Sequence, residues 1–311
     1  MAAFPTLRQM QFFSSLVRHG SFSGAAKECC VSQSTLSAGV KEFETILDAP
    51  LVDRSAKRFA LTTLGEEVAG RAEEMVALAE EMVRIAAARP LLTGDLRLGL
   101  IPTIGPFLLP GLMPRLDEAY PDLRLYLRED LTENLVSGLK AGRLDMAVIA
   151  LPVEAEGLDT LIFGEDPFVF VCRPDHPLAD EDAVTSAQLD AETLLLLEDG
   201  HCLRDHALSA CKLQDRQVAA AFGATSLFTL VQMVRSGLGT TLLPRLASDA
   251  GLAAGAGLRA IPVRDRNASP SRDLGLAWRR GSDREEEARA LADILSASRQ
   301  RADRTHAGQG G

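Results

Sequence analysis

The chain has 311 residues, a net charge of −10, 46% apolar and 24% charged residues. That length predicts two or three domains, each with its own core, in an ordinary globular composition. No apolar run approaches the roughly 18 residues of a membrane span, residues 1–20 lack a secretory apolar core, and an odd count of five cysteines argues against a secreted disulfide scaffold. A reducing cytoplasm is expected, with no membrane partner.

The acidic balance speaks against nucleic acid only until it is resolved along the chain. Residues 1–60 hold seven bases (Arg8, Arg18, Lys27, Lys41, Arg54, Lys57, Arg58) against five acids (Glu28, Glu42, Glu44, Asp48, Asp53), a local charge of +2. The acidic excess lies downstream, so a DNA-binding N-terminus stays open.

Leu7, Met10, Phe13 and Val17 recur at helical spacing, which predicts an amphipathic helix over 6–18 that His19-Gly20 breaks. Ser21-Phe-Ser23 caps a short helix to Glu28, and Val31-Ser32 forms the next turn. A longer helix is predicted over 33–47, its stripe of Leu36, Val40, Phe43 and Leu47 opposite Ser34, Ser37 and Lys41. Asp48-Ala-Pro50 ends it, and residues 51–54 and 60–62 suggest a two-stranded wing. From 63 to 89 the chain reads as one helix with a seven-residue seam, Val68, Met75 and Met82 beside Ala72, Ala79 and Ala86. So narrow a stripe suits pairing with a partner helix; packing on its own chain is the alternative.

After Pro90 and a hinge over 91–94 the pattern changes. Short apolar runs at 96–101, 123–127, 145–150, 168–172, 193–197, 239–243 and 274–278 alternate with helical stretches at 108–119, 132–141, 203–212, 226–236 and 285–298. That predicts α/β architecture with largely parallel sheets. Residues 302–311 have almost no apolar content and are expected to be disordered.

Two cysteines, Cys202 and Cys211, stand nine residues apart in Gly200-His-Cys-Leu-Arg-Asp-His-Ala-Leu-Ser-Ala-Cys211. In a helix their Cα atoms lie roughly 13 Å apart, while a disulfide needs them within about 7 Å. They bond only if the segment unwinds, so the pair suits a switch if Cys202 is reactive. His201, Arg204 and His206 offer donors to a thiolate; Glu198, Asp199 and Asp205 oppose them. A zinc site from His201, Cys202, His206 and Cys211 is disfavoured, because His201 points elsewhere and Cys211 lies more than two turns on. Cys29 and Cys30 start a turn, where at least one reads as a small core residue, and Cys172 at the end of an apolar run reads as structural.

The N-terminal elements fit a helix-turn-helix; a three-helix bundle with polar outer residues fits the same pattern. In a helix-turn-helix the second helix enters the major groove. Gln33 suits adenine, Ser32, Ser34, Thr35, Ser37 and Lys41 reach bases or phosphates, and Arg54, Lys57 and Arg58 on the wing neutralise phosphates. Phe22-Ser-Gly-Ala-Ala26, Val31-Ser-Gln-Ser-Thr-Leu-Ser37, Glu44, Leu51-Val-Asp-Arg54 and Leu61-Thr-Thr-Leu-Gly65 closely resemble the LysR-type transcriptional regulators. The resemblance implies a winged helix-turn-helix over 1–62, a dimerising linker helix over 63–90 and an effector domain over 91–301. That domain would be two-lobed like periplasmic binding proteins, lobe I being 91–164 plus 271–300 and lobe II 165–270.

Leu197-Glu-Asp-Gly-His-Cys-Leu-Arg-Asp205 with Cys211 in register, Ile101-Pro-Thr-Ile-Gly-Pro106, and Ala224-Thr-Ser-Leu227 before Gly239-Thr-Thr-Leu-Leu-Pro244 resemble the peroxide-sensing OxyR branch. That resemblance implies that hydrogen peroxide is bound by Thr103, Thr132, His201 and Arg272, with Arg204 and Asp205 in support. Cys202 would be oxidised and Cys211 would resolve it as a disulfide. It also implies double-stranded DNA, RNA polymerase and a glutaredoxin- or thioredoxin-type reductant as partners, a homodimer or homotetramer, nucleoid association, and neither cofactor nor metal. Residues Ala219-Ala-Ala-Phe-Gly223 depart from the basic or imidazole side chains of better-known members.

Bland readings stand beside these: Thr103 and Thr132 as helix N-caps, His201 as a loop residue, Arg204 as a partner of Asp205 or of a neighbouring helix. A metabolite-responsive regulator with incidental cysteines and a thiol peroxidase are the competing functions.

Overall fold

A computed structural model describes residues 4–53, 59–86, 90–153, 155–190, 193–198, 200, 202–211, 224–266 and 269–307, without the side chains of 81, 84–86, 210 and 299–307. The chain forms two compact units: Met1–Arg89 with Gly138–Arg143, and Pro90–Ser137 with Leu144–Gly311. No helix among the described residues is long and apolar enough to cross a membrane.

In the first unit, α1 (Leu7–His19), α2 (Phe22–Glu28), α3 (Gln33–Leu47) and α4 (Thr63–Ala86) follow in order. Thr6 and Gln9 form a capping box at the start of α1, and Gly20, at φ 59°, ends it. Phe13, Leu16, Leu36, Val40 and Phe43 interlock as the core, with the Phe13 and Phe43 rings edge to face. Of the predicted wing, an antiparallel bridge between Val52 and Leu61 is described; Arg54, Lys57 and Arg58 lie outside the described residues. Gly65 is required where α4 begins, because a Cβ there would sit 2.1 Å from the Leu51 carbonyl oxygen.

The seven-residue seam of α4 divides. Val68 and Ala72 pack on the core of their own chain, whereas Met75 and Met82 are 50% and 68% exposed, as are Leu78 and Val83 at 54% and 66%. Spacing alone placed Val68, Ala72, Met75 and Met82 on one seam; the helix outruns the small core it leans on.

In the second unit β1 (Gly94–Leu100), α5 (Gly105–Ala119), β2 (Leu123–Glu129), α6 (Thr132–Lys140) and β3 (Met146–Leu151) come first. Next come β4 (Leu158–Cys172), β5 (Leu194–Leu195), α7 (Cys202–Ala210), α8 (Leu227–Arg235) and β6 (Thr240–Pro244). Two short helices, α9 (Arg245–Asp249) and α10 (Leu252–Gly255), precede β7 (Arg259–Pro262), β8 (Ser271–Arg279) and α11 (Glu285–Ala307). The strands form one mixed sheet in the order β2-β1-β3-β8-β4-β6-β5, with β7 also on β4.

The α/β class is as expected, but the sheet is not largely parallel. Pairs β1·β2, β1·β3 and β5·β6 are parallel, while β3·β8, β4·β8, β4·β6 and β4·β7 are antiparallel. Alternation signals parallel pairing only where a helix carries the chain back between neighbouring strands. β8 follows β7 without a helix, and both lie back along β4. β4 therefore serves two cores: its first part pairs β8, and Phe168 to Cys172 sit in the cluster around Leu195, Leu230 and Leu243. Helix α11 continues to Ala307, six residues into the segment expected to be disordered. Scant apolar content denies that segment a core, not helical propensity, which Ala302, Arg304 and Ala307 supply.

Candidate functional site

The first site is the outer face of α3. Ser21 caps α2 by accepting from the Gly24 N–H, and Ser32 caps α3 by accepting from the Thr35 N–H at 3.1 Å. The Ser32 hydroxyl also lies 2.8 Å from Ser34 Oγ and 2.7 Å from Thr35 Oγ1, so these side chains brace one another. Gln33, Ser34, Thr35, Ser37 and Lys41 are all exposed, with Ser34, Ser37 and Lys41 on the side of the helix away from Leu36 and Val40. Glu44, nearly buried, accepts from the Leu51 and Val52 N–H groups at 2.9 and 3.1 Å and ties the bridge region to α3. Between α2 and α3, Cys29 is buried in the core and Cys30 is exposed, at φ 53°.

The second site lies at the carboxyl ends of β1 and β2, where open α/β sheets form their crevice. A cavity of about 10 Å³ is lined by Ile101, Pro102, Thr103, Leu131, Thr132, Gly200, Cys202 and Leu203. That is the scale of one water-sized guest. Cys202 opens α7, is half-buried and carries a free thiol. Gly200 reaches φ 94°, a conformation open to glycine, as the chain turns into this helix. His201 and Asp199 lie outside the described residues.

The two threonines are not capping residues in the usual sense. Ile104 occupies the N-cap of α5 and makes no side-chain cap bond, and Thr132 Oγ1 is buried with no hydrogen-bond partner among the described residues. Thr103 Oγ1 accepts from Arg272 Nη1 at 2.8 Å, and the Thr103 carbonyl accepts from Nη2 at 3.0 Å. Arg272 is wholly buried and does not line the cavity. Its Nε and Nη2 both donate to Asp166 Oδ2, at 3.1 and 2.9 Å. Asp166 is equally buried, and its Oδ1 accepts from the Leu246 N–H at 2.9 Å. The arginine expected to face a ligand thus stands behind Thr103, one side chain removed. Asp166 is not legible in the sequence because the apolar run there begins only at Phe168, whereas β4 runs from Leu158 to Cys172.

Other neighbours differ from expectation. The supporting residue Arg204 donates Nη1 to the Leu197 carbonyl at 3.3 Å, and Asp205 is exposed. His206 is half-buried, with a buried Nδ1 that has no hydrogen-bond partner among the described residues. Burial first, then the Arg272 charge, lower its pKa against the opposing pull of Asp205, the Pro152 carbonyl and Asp273. The shift favours the neutral imidazole over the charged one. Cys211 is buried among Leu203, Ala207 and Leu208, and burial pushes its thiol up to about 11, although Ser186 opposes the rise. Cys172 is likewise buried and pushed up to about 11. Among the described residues no three His, Cys, Asp or Glu side chains converge as metal ligands.

Residues 7–66 match the model of the bacterial regulatory helix-turn-helix protein, lysR family, and residues 89–300 match that of the LysR substrate binding domain. The chain belongs to the LysR family. It is 40% identical over 300 residues to the HTH-type transcriptional regulator EstR of Acinetobacter baylyi, covering 95% of this chain and 97% of that one. Among solved LysR structures, a full-length OxyR variant from Pseudomonas aeruginosa matches at TM-score 0.80 and 33% identity, covering 94% of this chain and 95% of the other. A hydrogen-peroxide-bound OxyR mutant from Corynebacterium glutamicum matches at TM-score 0.68 and 33% identity, covering 100% and 97%. As a LysR protein the chain belongs to a family of DNA-binding transcription regulators, with its helix-turn-helix carried by α2 and α3.

Proposed function

We propose that this LysR-type regulator senses hydrogen peroxide through Cys202 and controls oxidative-stress genes through its α3 face. One observation carries the reading: Cys202 opens onto a cavity fit for a water-sized guest between Thr103 and Thr132, while Cys211 is buried past the far end of the same helix. The likeness to OxyR structures, one of them peroxide-bound, supports it.

In the proposed reaction the Cys202 thiolate attacks one peroxide oxygen. An S–O bond forms, the O–O bond breaks, and hydroxide leaves to take up a proton; sulfur loses the two electrons that peroxide gains. Once α7 unwinds, the Cys211 sulfur attacks the sulfenic acid, expels water and closes a Cys202–Cys211 disulfide. A glutaredoxin- or thioredoxin-type reductant resets it. The sensor consumes one peroxide and waits, so it is not a turnover enzyme. Gln33, Ser34, Thr35, Ser37 and Lys41 contact duplex DNA with the basic residues Arg54, Lys57 and Arg58, and Ser32 fixes the start of the reading helix. The exposed Met75 and Met82 face of α4 pairs two chains, two such dimers make the tetramer, and the DNA-bound form engages RNA polymerase in the cytoplasm.

The test is peroxide treatment followed by non-reducing mass spectrometry, on the parent, Cys202→Ser and Cys211→Ser. A Cys202–Cys211 bond in the parent alone, with an altered DNA footprint, is expected; no such bond, or a footprint indifferent to it, overturns the reading. A second reading is a LysR regulator that answers to an organic metabolite and whose cysteines are incidental. A cavity of about 10 Å³ is too small for that guest without opening. A footprint that ignores peroxide but changes with a metabolite would favour this second reading.

A further inference from the structure

Resting on the peroxide reading, we propose that Asp166 is a positioning residue for the reaction at Cys202: it holds Arg272 so that the Thr103 hydroxyl must donate its proton into the cavity. Asp166 touches neither the thiol nor the cavity lining. It acts through a chain of four hydrogen bonds, each at 3.1 Å or less, of which the three made by Arg272 are buried.

A threonine hydroxyl has one proton and can also accept. Arg272 Nη1 donates to Thr103 Oγ1, so the Thr103 proton cannot point back at the guanidinium. Thr103 lines the same cavity as Cys202 and Thr132, and that is where a donated proton finds an acceptor. Charge builds on the departing oxygen as the O–O bond breaks, and a fixed donor aimed there lowers the barrier. The direction of that donor depends on the guanidinium keeping its place. Asp166 Oδ2 takes Nε and Nη2, while Oδ1 is locked by the Leu246 N–H at the start of α9, so neither partner can turn. The pair also spans β4 and β8, since Asp166 and Arg272 face each other in that ladder.

Asp166→Asn keeps the shape and an oxygen for the Leu246 N–H but presents an NH2 to the guanidinium donors, which must shift. Two rates at Cys202 separate positioning from general disruption: oxidation by hydrogen peroxide, and alkylation by iodoacetamide, which does not break an O–O bond. The expected result is peroxide oxidation slower by about 10-fold or more, up to the roughly 100- to 1,000-fold cost of losing one transition-state donor outright, with alkylation within about 2-fold of the parent. Thr103→Val should slow peroxide oxidation at least as much, Thr103→Ser should restore it, and adding Asp166→Asn to Thr103→Val should cost nothing further. An unchanged peroxide rate in Asp166→Asn, equal slowing of both reactions, or additive losses overturns the proposal. If Asp166→Asn does not fold, Arg272→Lys takes its place: it keeps the charge but loses the planar fork, and an unchanged ratio of the two rates is then the overturning result. A parent protein whose Cys202 peroxide leaves unoxidised would instead sink the peroxide reading itself.

Discussion

Cys202 begins α7 and Cys211 follows its last turn, with the Cys211 N–H still donating to the Ala207 carbonyl at 3.0 Å. The helix holds their Cα atoms roughly 13 Å apart, about twice the reach of a disulfide. It also gives them opposite surroundings, since Cys202 borders a cavity and Cys211 is 2% exposed in an apolar cluster. A short pulse of iodoacetamide at pH 8 should therefore label Cys202 and the exposed Cys30 of the reduced protein, and spare Cys211 and Cys172. Peptide mapping reads the result directly. Labelling of Cys211 as fast as Cys202 would mean that α7 is already open without an oxidant.

The two buried thiols also set a pH dependence of stability. Burial raises Cys172 and Cys211 from 9.0 to about 11. Below pH 9 both are protonated whether the chain is folded or not, and their contribution is fully present. As pH rises through 9 to 11 the unfolded chain gives up these protons first, so the folded state loses stability, on the order of a few kcal/mol in total. Denaturant midpoints at pH 8 and pH 10.5 should fall more steeply for the parent than for Cys172→Ala or Cys211→Ala. Equal slopes in all three proteins would show that neither thiol couples to folding.

What the sequence revealed follows from which forces act locally. The buried stripe of α3 and the exposure of Gln33, Ser34 and Thr35 come from 3.6-residue periodicity and capping chemistry within one segment, so both were legible. The Thr103, Thr132 and Cys202 grouping needed the resemblance, because three separate loops meet only in the folded unit. Asp166 was legible by neither route. Its partner Arg272 lies 106 residues further along the chain, and Arg272 in turn bonds Thr103 across 169 residues, and a carboxylate inside a strand gives no local sign of burial. The antiparallel pairings of β8 were hidden for a related reason: strand direction depends on how the chain returns, which composition does not record.

Glu44 closes the first unit much as Asp166 closes the site in the second. Its carboxylate accepts two backbone N–H groups, of Leu51 and Val52, both residues being buried. Glu44→Ala strands both donors away from water, and each orphan costs about 1–3 kcal/mol. The denaturant midpoint should drop accordingly, and hydrogen exchange at Leu51 and Val52 should speed up ahead of exchange at the Phe13 and Leu36 core. Glu44→Gln, which keeps an acceptor oxygen, should recover most of the protection. If Ala and Gln behave alike, the acceptor is not what holds this segment.

Cys30 offers the opposite kind of change, a substitution that stabilises. Helix α2 ends with Cys30 at φ 53°, its N–H donating to the Lys27 carbonyl, and with the Val31 N–H donating to the Ala26 carbonyl at 3.0 Å. This is the Schellman arrangement, whose left-handed position normally falls to glycine. A side chain there costs about 1–2 kcal/mol that glycine avoids, partly offset by the extra freedom glycine gives the unfolded chain. The thiol returns little, a weak contact with the Glu28 carbonyl at 3.9 Å. Cys30→Gly should therefore raise stability by about 1 kcal/mol or somewhat less, seen as a higher melting temperature for the first unit. Cys30→Ala keeps the strained backbone and loses only the thiol, so it should show no gain. A Gly variant no more stable than the Ala variant would mean that the turn carries no strain worth relieving.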